Sequence, residues 1–256
     1  VMIAAIVQAR MGSTRLPGKV MKTLSGKPML WHIITRLSYS KKIEKIIVAT
    51  TGMPGDKVIV KLAREIGVIF YCGSPEDVLD RYHQSAKIFK VDPIVRITAD
   101  CPLIDPEIVD KIIGYYLTSK YDYVTNTLKP TMPDGLDTEV FSFRTLEKAW
   151  TEAKKPSERE HVTPYIRNHP ELFKLGNYEY EIDLSGMRWV VDEEADYRLI
   201  SEIYKYLYKD GEIFYMNDIL KLLSKYPELN DINNNIKRNE GYIKSLENDN
   251  KYGFIT

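Results

Sequence analysis

The sequence predicts an α/β protein in which a mostly parallel central sheet is flanked by helices. Over the first half of the chain, short β-rich runs alternate with amphipathic segments, which is the pattern of a parallel sheet covered by helices. The chain has 256 residues, of which 44% are hydrophobic and 28% are charged. This length and composition are typical of a globular protein with one sizeable core, or with a core and a small lobe.

The first half of the chain is predicted to contain four buried strands, each followed by a helix. Leu30, Ile33 and Ile34 recur at helical spacing and predict the first helix. Ser74 is predicted to cap the third helix, because serine is a good N-cap and Pro75 suits the first helical position. We predict strands at residues 2–7, 45–50, 68–72 and 94–98, and helices at residues 28–39, 56–66, 75–90 and 105–117.

After residue 121 the pattern changes, because short strands mix with turn-forming stretches. No linker rich in glycine or serine separates domains. We therefore predict one domain over residues 1–226, with a distinct subregion at about residues 121–185 and a polar extension over residues 227–256. In this half we predict strands at residues 122–126, 138–143 and 188–191, and helices at residues 145–152, 158–168 and 193–208.

The charge of the chain is balanced, with 36 lysines and arginines against 36 aspartates and glutamates. Such a chain has no global field for a nucleic acid or an anionic membrane, so any anion site must be built locally. No apolar run reaches the roughly 18 residues that span a bilayer. The two cysteines, Cys72 and Cys101, have no CxxC spacing and favour a reducing compartment. We expect a cytoplasmic protein that binds neither nucleic acid nor membrane.

A polar loop follows the first predicted strand, at the edge where open α/β sheets bind ligands. Arg10, Arg15 and Lys19 bring three positive charges into this loop, which contains no carboxylate. Its glycines let the backbone approach an anion, although neither the Walker A nor the dinucleotide motif fits. The alternative is a basic surface loop without function. We predict that a triphosphate is bound by Gln8, Ala9, Arg10, Gly12, Ser13, Thr14, Arg15 and Lys19.

Two aspartates follow predicted strands at distant points of the chain. Asp100 comes after the strand at residues 94–98, and Asp192 comes after the strand at residues 188–191. Both can therefore lie at the sheet edge that carries the phosphate loop. Mg²⁺ prefers hard oxygen ligands and usually takes one or two carboxylates together with substrate phosphates. We predict Asp100 and Asp192 as metal ligands; the alternative for each is an ordinary strand-end or capping role.

These motifs resemble those of a known family. The run QARMGSTRLPGK at residues 8–19 resembles the signature loop of the sugar-acid cytidylyltransferases, which make CMP-KDO and CMP-sialic acid. Within that family the sequence is most similar to the branch called spore coat polysaccharide biosynthesis protein F. The resemblance continues in ITADCPLID at 97–105, PDGLDTE at 133–139, REHVT at 159–163, WVVD at 189–192, and NEGY at 239–242.

The resemblance implies a Rossmann-like nucleotide-diphospho-sugar transferase fold. It also implies CTP and a sugar acid as substrates, Mg²⁺ as cofactor, a homodimer, and a role in surface polysaccharide synthesis. The two matching aspartates hold the metal in this family, and Arg10, Lys19 and Asp100 are the implied catalytic residues. Gly73, Ser74 and Arg81 are implied as further nucleotide contacts. For Arg81, an exposed position on its helix remains an equally open explanation.

The segment of residues 133–163 lies where this fold usually builds its acceptor pocket. We predict Asp134, Glu139, Arg159 and His161 as acceptor-binding residues. Arg159 would bind the carboxylate of a sugar acid, and His161 would orient a hydroxyl. The carboxylates are harder to reconcile with an anionic acceptor. They would bind hydroxyls or an amino group instead, or belong to a dimer interface.

The predicted reaction is an in-line attack of an acceptor oxygen on the α-phosphate of CTP, with pyrophosphate as leaving group. No residue stands out from the sequence as the general base. A glycosyltransferase of related fold is one rival, although Asp100-Cys101-Pro102 has a single carboxylate where such enzymes carry a DxD motif. A non-catalytic nucleotide-binding protein is the other rival.

Overall fold

A seven-stranded sheet forms the centre of the computed structural model, which describes residues 2–236, 238 and 240–251. Its strands are β1 (Ala4–Gln8), β4 (Lys45–Thr51), β5 (Ile69–Gly73), β6 (Ile94–Thr98), β7 (Tyr123–Thr125), β8 (Glu139–Phe141) and β9 (Leu175–Asn177), and a separate hairpin joins β2 (Thr23–Leu24) to β3 (Lys27–Pro28). The spatial order is β5-β4-β1-β6-β8-β7-β9. Only β8 runs antiparallel to its neighbours in this sheet, so the predicted mostly parallel α/β fold is confirmed.

Helices cover both faces of the sheet. Because side chains alternate along a strand, Ala5 and Val7 of β1 pack into one apolar layer, whereas Ala4 and Ile6 pack into the other. The helices are α1 (Met29–Leu37), α2 (Lys57–Glu65), α3 (Val78–Phe89), α4 (Pro106–Thr118), α5 (Phe143–Glu152), α6 (Pro156–His161), α7 (Pro164–Asn168), α8 (Glu194–Leu207), α9 (Met216–Lys225) and α10 (Glu240–Lys251). The first layer contains α1, α2, α4, α8 and α9, and the second contains α3, α5 and α7.

The central position of β1 decides where a site can form. β1 pairs in parallel with β4 and β6, and its last residue, Gln8, lies opposite Ala49 on one side and Thr98 on the other. The loop that follows β1 therefore leaves the sheet beside the turn that follows β6. This register brings residues from about position 10 and position 100 to the same edge, as the sequence predicts.

The prediction of a strand at residues 188–191 is wrong. This stretch makes a single bridge, between Arg188 and Asp134, and no ladder. The Trp189 N–H donates to the carbonyl of Asp134 at 2.6 Å, and the Val191 N–H donates to the carbonyl of Asp100 at 2.8 Å. Because Asp134 and Asp100 lie in loops, no continuous strand edge is available for pairing. The Asp192 segment, as we call residues 188–192, still ends beside Asp100.

Two predicted helices also differ from those observed. The helix predicted at residues 158–168 is split into α6 and α7, because the proline ring of Pro164 disfavours a continuous helix and instead begins a new one. Between them Val162 has a φ of 73°. The N-cap of α3 is Asp77 rather than Ser74, since the Asp77 carboxylate accepts from the N–H of Asp80. The hydroxyl of Ser74 accepts from the N–H of Asp77 in the preceding turn.

The C-terminal part of the chain folds back onto the body of the protein. Helix α10 packs against α6, with Asp249 fully buried and Ser245 almost so. Asn239 and residues 252–256, which belong to the predicted extension, lie outside the described residues. Among the helices that the structure describes, none has the length and apolar character needed to cross a membrane.

Candidate active site

Lys19 lies at the centre of the candidate site, where a short 3-10 helix begins after the β1 loop. Its ammonium group lies 2.7 Å from Asp192 Oδ1 and 3.3 Å from Asp100 Oδ2, and it donates to the Val191 carbonyl at 2.9 Å. Burial lowers the pKa of Lys19, but the two carboxylates outweigh this effect and raise it. Burial alone raises the pKa of Asp100, and the charge of Lys19 together with hydrogen bonds brings it below its usual value.

The second aspartate is surrounded by arginines. Arg15 Nη2 lies 2.9 Å from Asp192 Oδ2, and Arg188 Nη2 lies 3.5 Å from the same oxygen. Arg188 is held in place by the buried carboxylate of Asp196, 2.8 Å from its Nε. Asp196 also accepts the N–H groups of Asp192 and Glu193 at the start of α8. The structure thus brings Arg15, Lys19, Asp100 and Asp192 together.

The two carboxylates form a donor set that fits Mg²⁺. Asp100 and Asp192 both lie within hydrogen-bonding reach of the same Lys19 nitrogen, so their oxygens converge on one place. Over the part of the chain that the structure describes, no group of three or more histidine, cysteine or acidic side chains surrounds a single metal position. Two carboxylates completed by phosphate and water oxygens is a common arrangement for Mg²⁺. Asp100 and Asp192 are the residues that would hold it.

The loop after β1, residues 8–19, is the predicted phosphate loop, and hydrogen bonds within it and to Asp56 hold its conformation. The N–H of Gly18 donates to the Met11 carbonyl at 3.0 Å, and the N–H of Met11 donates to Asp56 Oδ1 at 2.7 Å. Gly18 has a φ of 68°, a left-handed conformation that favours glycine. Asp56 is 4% exposed and also accepts from the Thr51 hydroxyl, so it ties the loop to the end of β4. Sequence reasoning missed this supporting role of Asp56.

The remaining predicted phosphate contacts surround this core. Gln8 ends β1, Ala9 is buried behind the loop, and Gly12 and Thr14 are exposed. The hydroxyl of Ser13 accepts the Leu16 N–H at 3.3 Å. Arg10 is half-buried, and within the described ranges no carboxylate oxygen lies within 4.0 Å of its guanidinium. Its charge is therefore available to an anion.

The predicted nucleotide contacts after β5 form a separate group. Arg81 is fully buried in α3, and its Nε and Nη2 donate to the Ser74 carbonyl at 3.0 and 2.7 Å. Burial lowers the pKa of Arg81, and the nearby charge of Arg10 lowers it further. A Cβ on Gly73 would lie 2.7 Å from the Tyr71 ring, so this turn has no room for a larger residue. Arg81 thus holds the turn at Ser74, after β5, in place.

A cavity of about 220 Å³ lies at the end of β6, where Thr98 lines it two residues before Asp100. Glu139, one of the predicted acceptor residues, is buried there and accepts hydrogen bonds from Arg96, Tyr123 and Thr163. Burial raises the pKa of Glu139, but Arg96 and the other donors bring it below its usual value. The cavity is lined by Arg96, Thr98, Thr127, Asp137, Glu139, His161, Thr163, Arg167, Arg238 and Tyr242.

The other predicted acceptor residues do not all reach this cavity. His161 lines it, with Nε2 2.9 Å from the Ser245 hydroxyl, and burial lowers its pKa. Asp134 lies behind it, 3.1 Å from Arg188 Nη1. Arg159 is turned away, because its guanidinium pairs with Asp77 at 2.5 Å at the start of α3. The structure therefore does not bring Arg159 together with the rest.

Sequence reasoning missed three arginines of the cavity. Arg96 carries a recognisable signal, since a charged residue interrupts the apolar strand β6. Arg167 lies in the last turn of α7, where basic residues are common in any helix and therefore do not indicate a site. Arg238 lies in the tail and reaches Asp137 at 2.8 Å, a contact across about a hundred residues that no local pattern predicts.

Comparison with known proteins decides the family. The family model described as cytidylyltransferase matches residues 4–237. The chain belongs to the cytidylyltransferase family. The name of this family describes the transfer of a cytidylyl group, and the β1 loop and the Asp100–Asp192 pair both lie within the matched residues.

Two relatives cover this chain almost completely, and a third covers less than half of it. An uncharacterized protein of Methanocaldococcus jannaschii is 41% identical over 92% of this chain and 96% of its own length. The spore coat polysaccharide biosynthesis protein SpsF of Bacillus subtilis is 31% identical over 88% of this chain and 95% of its own. A 3-deoxy-manno-octulosonate cytidylyltransferase of Trichlorobacter lovleyi is 36% identical, over 45% of each chain.

Solved structures share the fold. A cytidylyltransferase from Leptospira borgpetersenii superposes with a TM-score of 0.85 at 34% identity, covering 90% of this chain and 97% of that one. CMP:2-keto-3-deoxy-manno-octonic acid synthetase, solved in complex with CTP, superposes with a TM-score of 0.62 at 16% identity, over 80% of this chain and 99% of that one. The implied Rossmann-like nucleotidyltransferase fold is therefore confirmed.

Proposed function

We propose that this cytidylyltransferase transfers the cytidylyl group of CTP to a sugar acid of the KDO or nonulosonic type, with Mg²⁺ as cofactor. The observation that carries the proposal is the convergence of Lys19, Asp100 and Asp192 at the end of the phosphate loop, next to an arginine-lined cavity. The relatives that act on 3-deoxy-manno-octulosonate or belong to spore coat polysaccharide synthesis support a sugar acid destined for a surface polysaccharide.

In this reaction an acceptor hydroxyl attacks the α-phosphate of CTP. A bond forms between the acceptor oxygen and the α-phosphorus, the bond from that phosphorus to the bridging oxygen breaks, and pyrophosphate leaves. Arg10, Arg15 and Lys19 neutralise the triphosphate. Because these cations are already in place, they need not move while charge develops in the transition state. Asp100 and Asp192 would hold Mg²⁺, which would neutralise further negative charge on the phosphate.

The hydroxyl proton needs an acceptor, and we assign this role to Asp137. Its carboxyl group lines the cavity and lies in the electrostatic field of Asp100. The pKa of Asp137 is raised to about 7, because burial and the neighbouring acids raise it by more than Arg238 lowers it. A carboxyl group with a pKa near the working pH is well suited to accept a proton in a transition state.

The metal assignment is tested by replacing Asp100 with alanine. We expect Mg²⁺-dependent pyrophosphate release from CTP to fall by at least about 10²-fold, because a group that organises charge in the transition state is lost. CTP, Mg²⁺ and a panel of sugar acids are the reactants. Near-normal turnover of Asp100→Ala would contradict the assignment.

The same panel separates the rival activities. Pyrophosphate release that depends on a sugar acid is expected from this enzyme. Release of free nucleoside diphosphate from a nucleotide-sugar donor would instead indicate a glycosyltransferase, and CTP binding without turnover on any acceptor would indicate a non-catalytic protein. Either result would overturn the proposal.

We also propose that the protein works as a homodimer in the cytoplasm. Large apolar side chains are exposed within the subregion at residues 121–185, where Leu128 is 39%, Leu172 is 42% and Ile182 is 61% exposed. A contact between two copies through this subregion would remove their apolar surface from water. The thiols of Cys72 and Cys101 are both free, which is consistent with a reducing compartment.

A further inference from the structure

The C-terminal segment, by which we mean Arg238 and helix α10, is fixed to the wall of the acceptor cavity. Asp249 is fully buried and accepts the N–H of Ser157 at 2.9 Å and its hydroxyl at 2.5 Å. One turn earlier on the helix, the hydroxyl of Ser245 lies 2.9 Å from Glu160 Oε2 and 2.9 Å from His161 Nε2. These contacts hold α10 against α6, and Asp249 and Ser157 are wholly or almost wholly removed from water.

The start of the segment faces both halves of the site. The ring of Tyr242 lines the cavity, with the Arg167 guanidinium carbon 5.6 Å from its centroid and the His161 ring packed edge-on at 5.2 Å. A Cβ on Gly241 would lie 3.4 Å from Arg15 Nη2, so the same turn touches the phosphate loop. The segment therefore lies against the nucleotide side and the acceptor side at once.

One arginine of the cavity has no ion pair among the described residues. The charge of Glu139 is neutralised by Arg96. The charge of Asp137 is neutralised by Arg238, and the distance from Arg238 Nη2 to Asp137 Oδ1 is 2.8 Å. Arg167 differs, since within the described parts of the chain its guanidinium has no hydrogen bond and no carboxylate within 4.0 Å, and its Nε is buried. A buried donor without a partner is costly, which favours an anion at this place.

Arg238 explains how an anionic acceptor can enter a cavity that contains carboxylates. Its guanidinium also lies 3.6 Å from Asp134 Oδ1, so one arginine faces two acids that stand close to the cavity. Without that charge, Asp134 and Asp137 would repel a carboxylate on the acceptor. Among the residues that line the cavity, Arg96, Arg167 and Arg238 then face Asp137 and Glu139, so one positive charge is in excess.

We propose that the C-terminal segment completes the acceptor cavity and makes it selective for a carboxylate-bearing acceptor. In this arrangement Arg167, under Tyr242, binds the acceptor carboxylate, and Arg238 compensates the neighbouring acids. The inference rests on the proposed cytidylyl transfer and adds to it the recognition of the acceptor's charge by residues of the tail.

Kinetics of Arg238→Gln test the charge role in mildly alkaline buffer, where Asp137 is ionised. With 3-deoxy-manno-octulosonate or sialic acid, whichever the unmodified protein uses, we expect the KM for the sugar acid to rise about tenfold or more, as for loss of one charge-assisted contact. The KM for CTP should stay within about twofold. Lys244→Gln is the matched control, because it removes the same charge from an exposed position of α10 and should change neither value.

Two further variants address the carboxylate contact. Arg167→Gln should raise the KM for the sugar acid at least as much as Arg238→Gln does. Tyr242→Leu keeps every charge and should raise it less. Equal rises in the KM values for CTP and sugar acid in these variants, or no rise in either, would overturn the inference while leaving cytidylyl transfer intact. Turnover of the acceptor amide as efficiently as the acid would do the same.

A binding experiment decides the inference even when no sugar acid is turned over. Hydrogen–deuterium exchange of α10 is measured on the full chain with CTP and each of the two sugar acids. We expect slower exchange across α10 on adding the sugar acid, and no such slowing in Arg167→Gln. Unchanged exchange of α10 with both sugar acids would overturn the role of the segment, whereas absent pyrophosphate release with slowed exchange would overturn only the proposed activity.

Discussion

At Lys19 a single ammonium group faces the two carboxylates of Asp100 and Asp192, where the proposed reaction needs positive charge. Lys19→Met should lower kcat/KM for CTP by about 10²–10³-fold, because a preorganised charge at the developing negative charge is lost. Lys22→Met is the matched control, since its ammonium group pairs with an exposed Glu194 at 3.5 Å outside the cluster. Pyrophosphate release measures both variants, and equal losses would remove Lys19 from the reaction.

Asp137 sets an expected pH dependence. Its pKa is raised to about 7, so its carboxyl group is protonated below that pH and able to accept a proton above it. We expect kcat/KM for the sugar acid to fall by one power of ten per pH unit below about 7. Asp137→Asn should lower kcat by about 10²–10⁴-fold and abolish this acid limb. An acid limb that persists in the variant would assign the proton to another group.

At the scale of elements, the sequence best predicts the strands that are buried on both faces, because their own residues carry the signal. The apolar runs of β1, β4 and β6 predicted their strands, because strands covered on both faces are continuously hydrophobic. The Asp192 segment was misassigned because its partners are loop carbonyls, which the segment's own residues do not reveal. Arg238 was missed for the same reason, since its contact with Asp137 depends on how the tail folds back.

The close approach of two loops makes Gly135 a sensitive point. Its φ is 109°, and a Cβ there would lie 2.5 Å from the backbone carbon of Trp189. Gly135→Ala should therefore lower the free energy of unfolding by about 3 kcal/mol or more, measured by urea denaturation. Gly52→Ala is the control, because nothing lies within 4 Å of its added Cβ, and it should change the stability by less than about 0.5 kcal/mol.

The same substitution tests how the Asp192 segment is held. Because Trp189 is three residues before Asp192 in the same segment, a shift that accommodates the new methyl group would move the carboxylate that we propose as a Mg²⁺ ligand. We expect the folded fraction of Gly135→Ala to require more Mg²⁺ for half-maximal pyrophosphate release than Gly52→Ala does. A variant that is fully stable and fully active would show that the two loops separate at little cost.

For the whole molecule, the proposed dimer follows from where apolar surface remains exposed. Ile182 is 61% exposed and lies in the subregion at residues 121–185, whereas Val58 is 43% exposed on α2, which packs against β4 and β5. Ile182→Glu should weaken association by at least about tenfold, because a charge buried at an apolar contact without a partner is costly. Val58→Glu, with the same change in charge at an exposed apolar position outside the subregion, should leave association unaltered. Sedimentation equilibrium measures both, and an unmodified protein that stays monomeric at micromolar concentration, or two variants that dissociate equally, would contradict this interface.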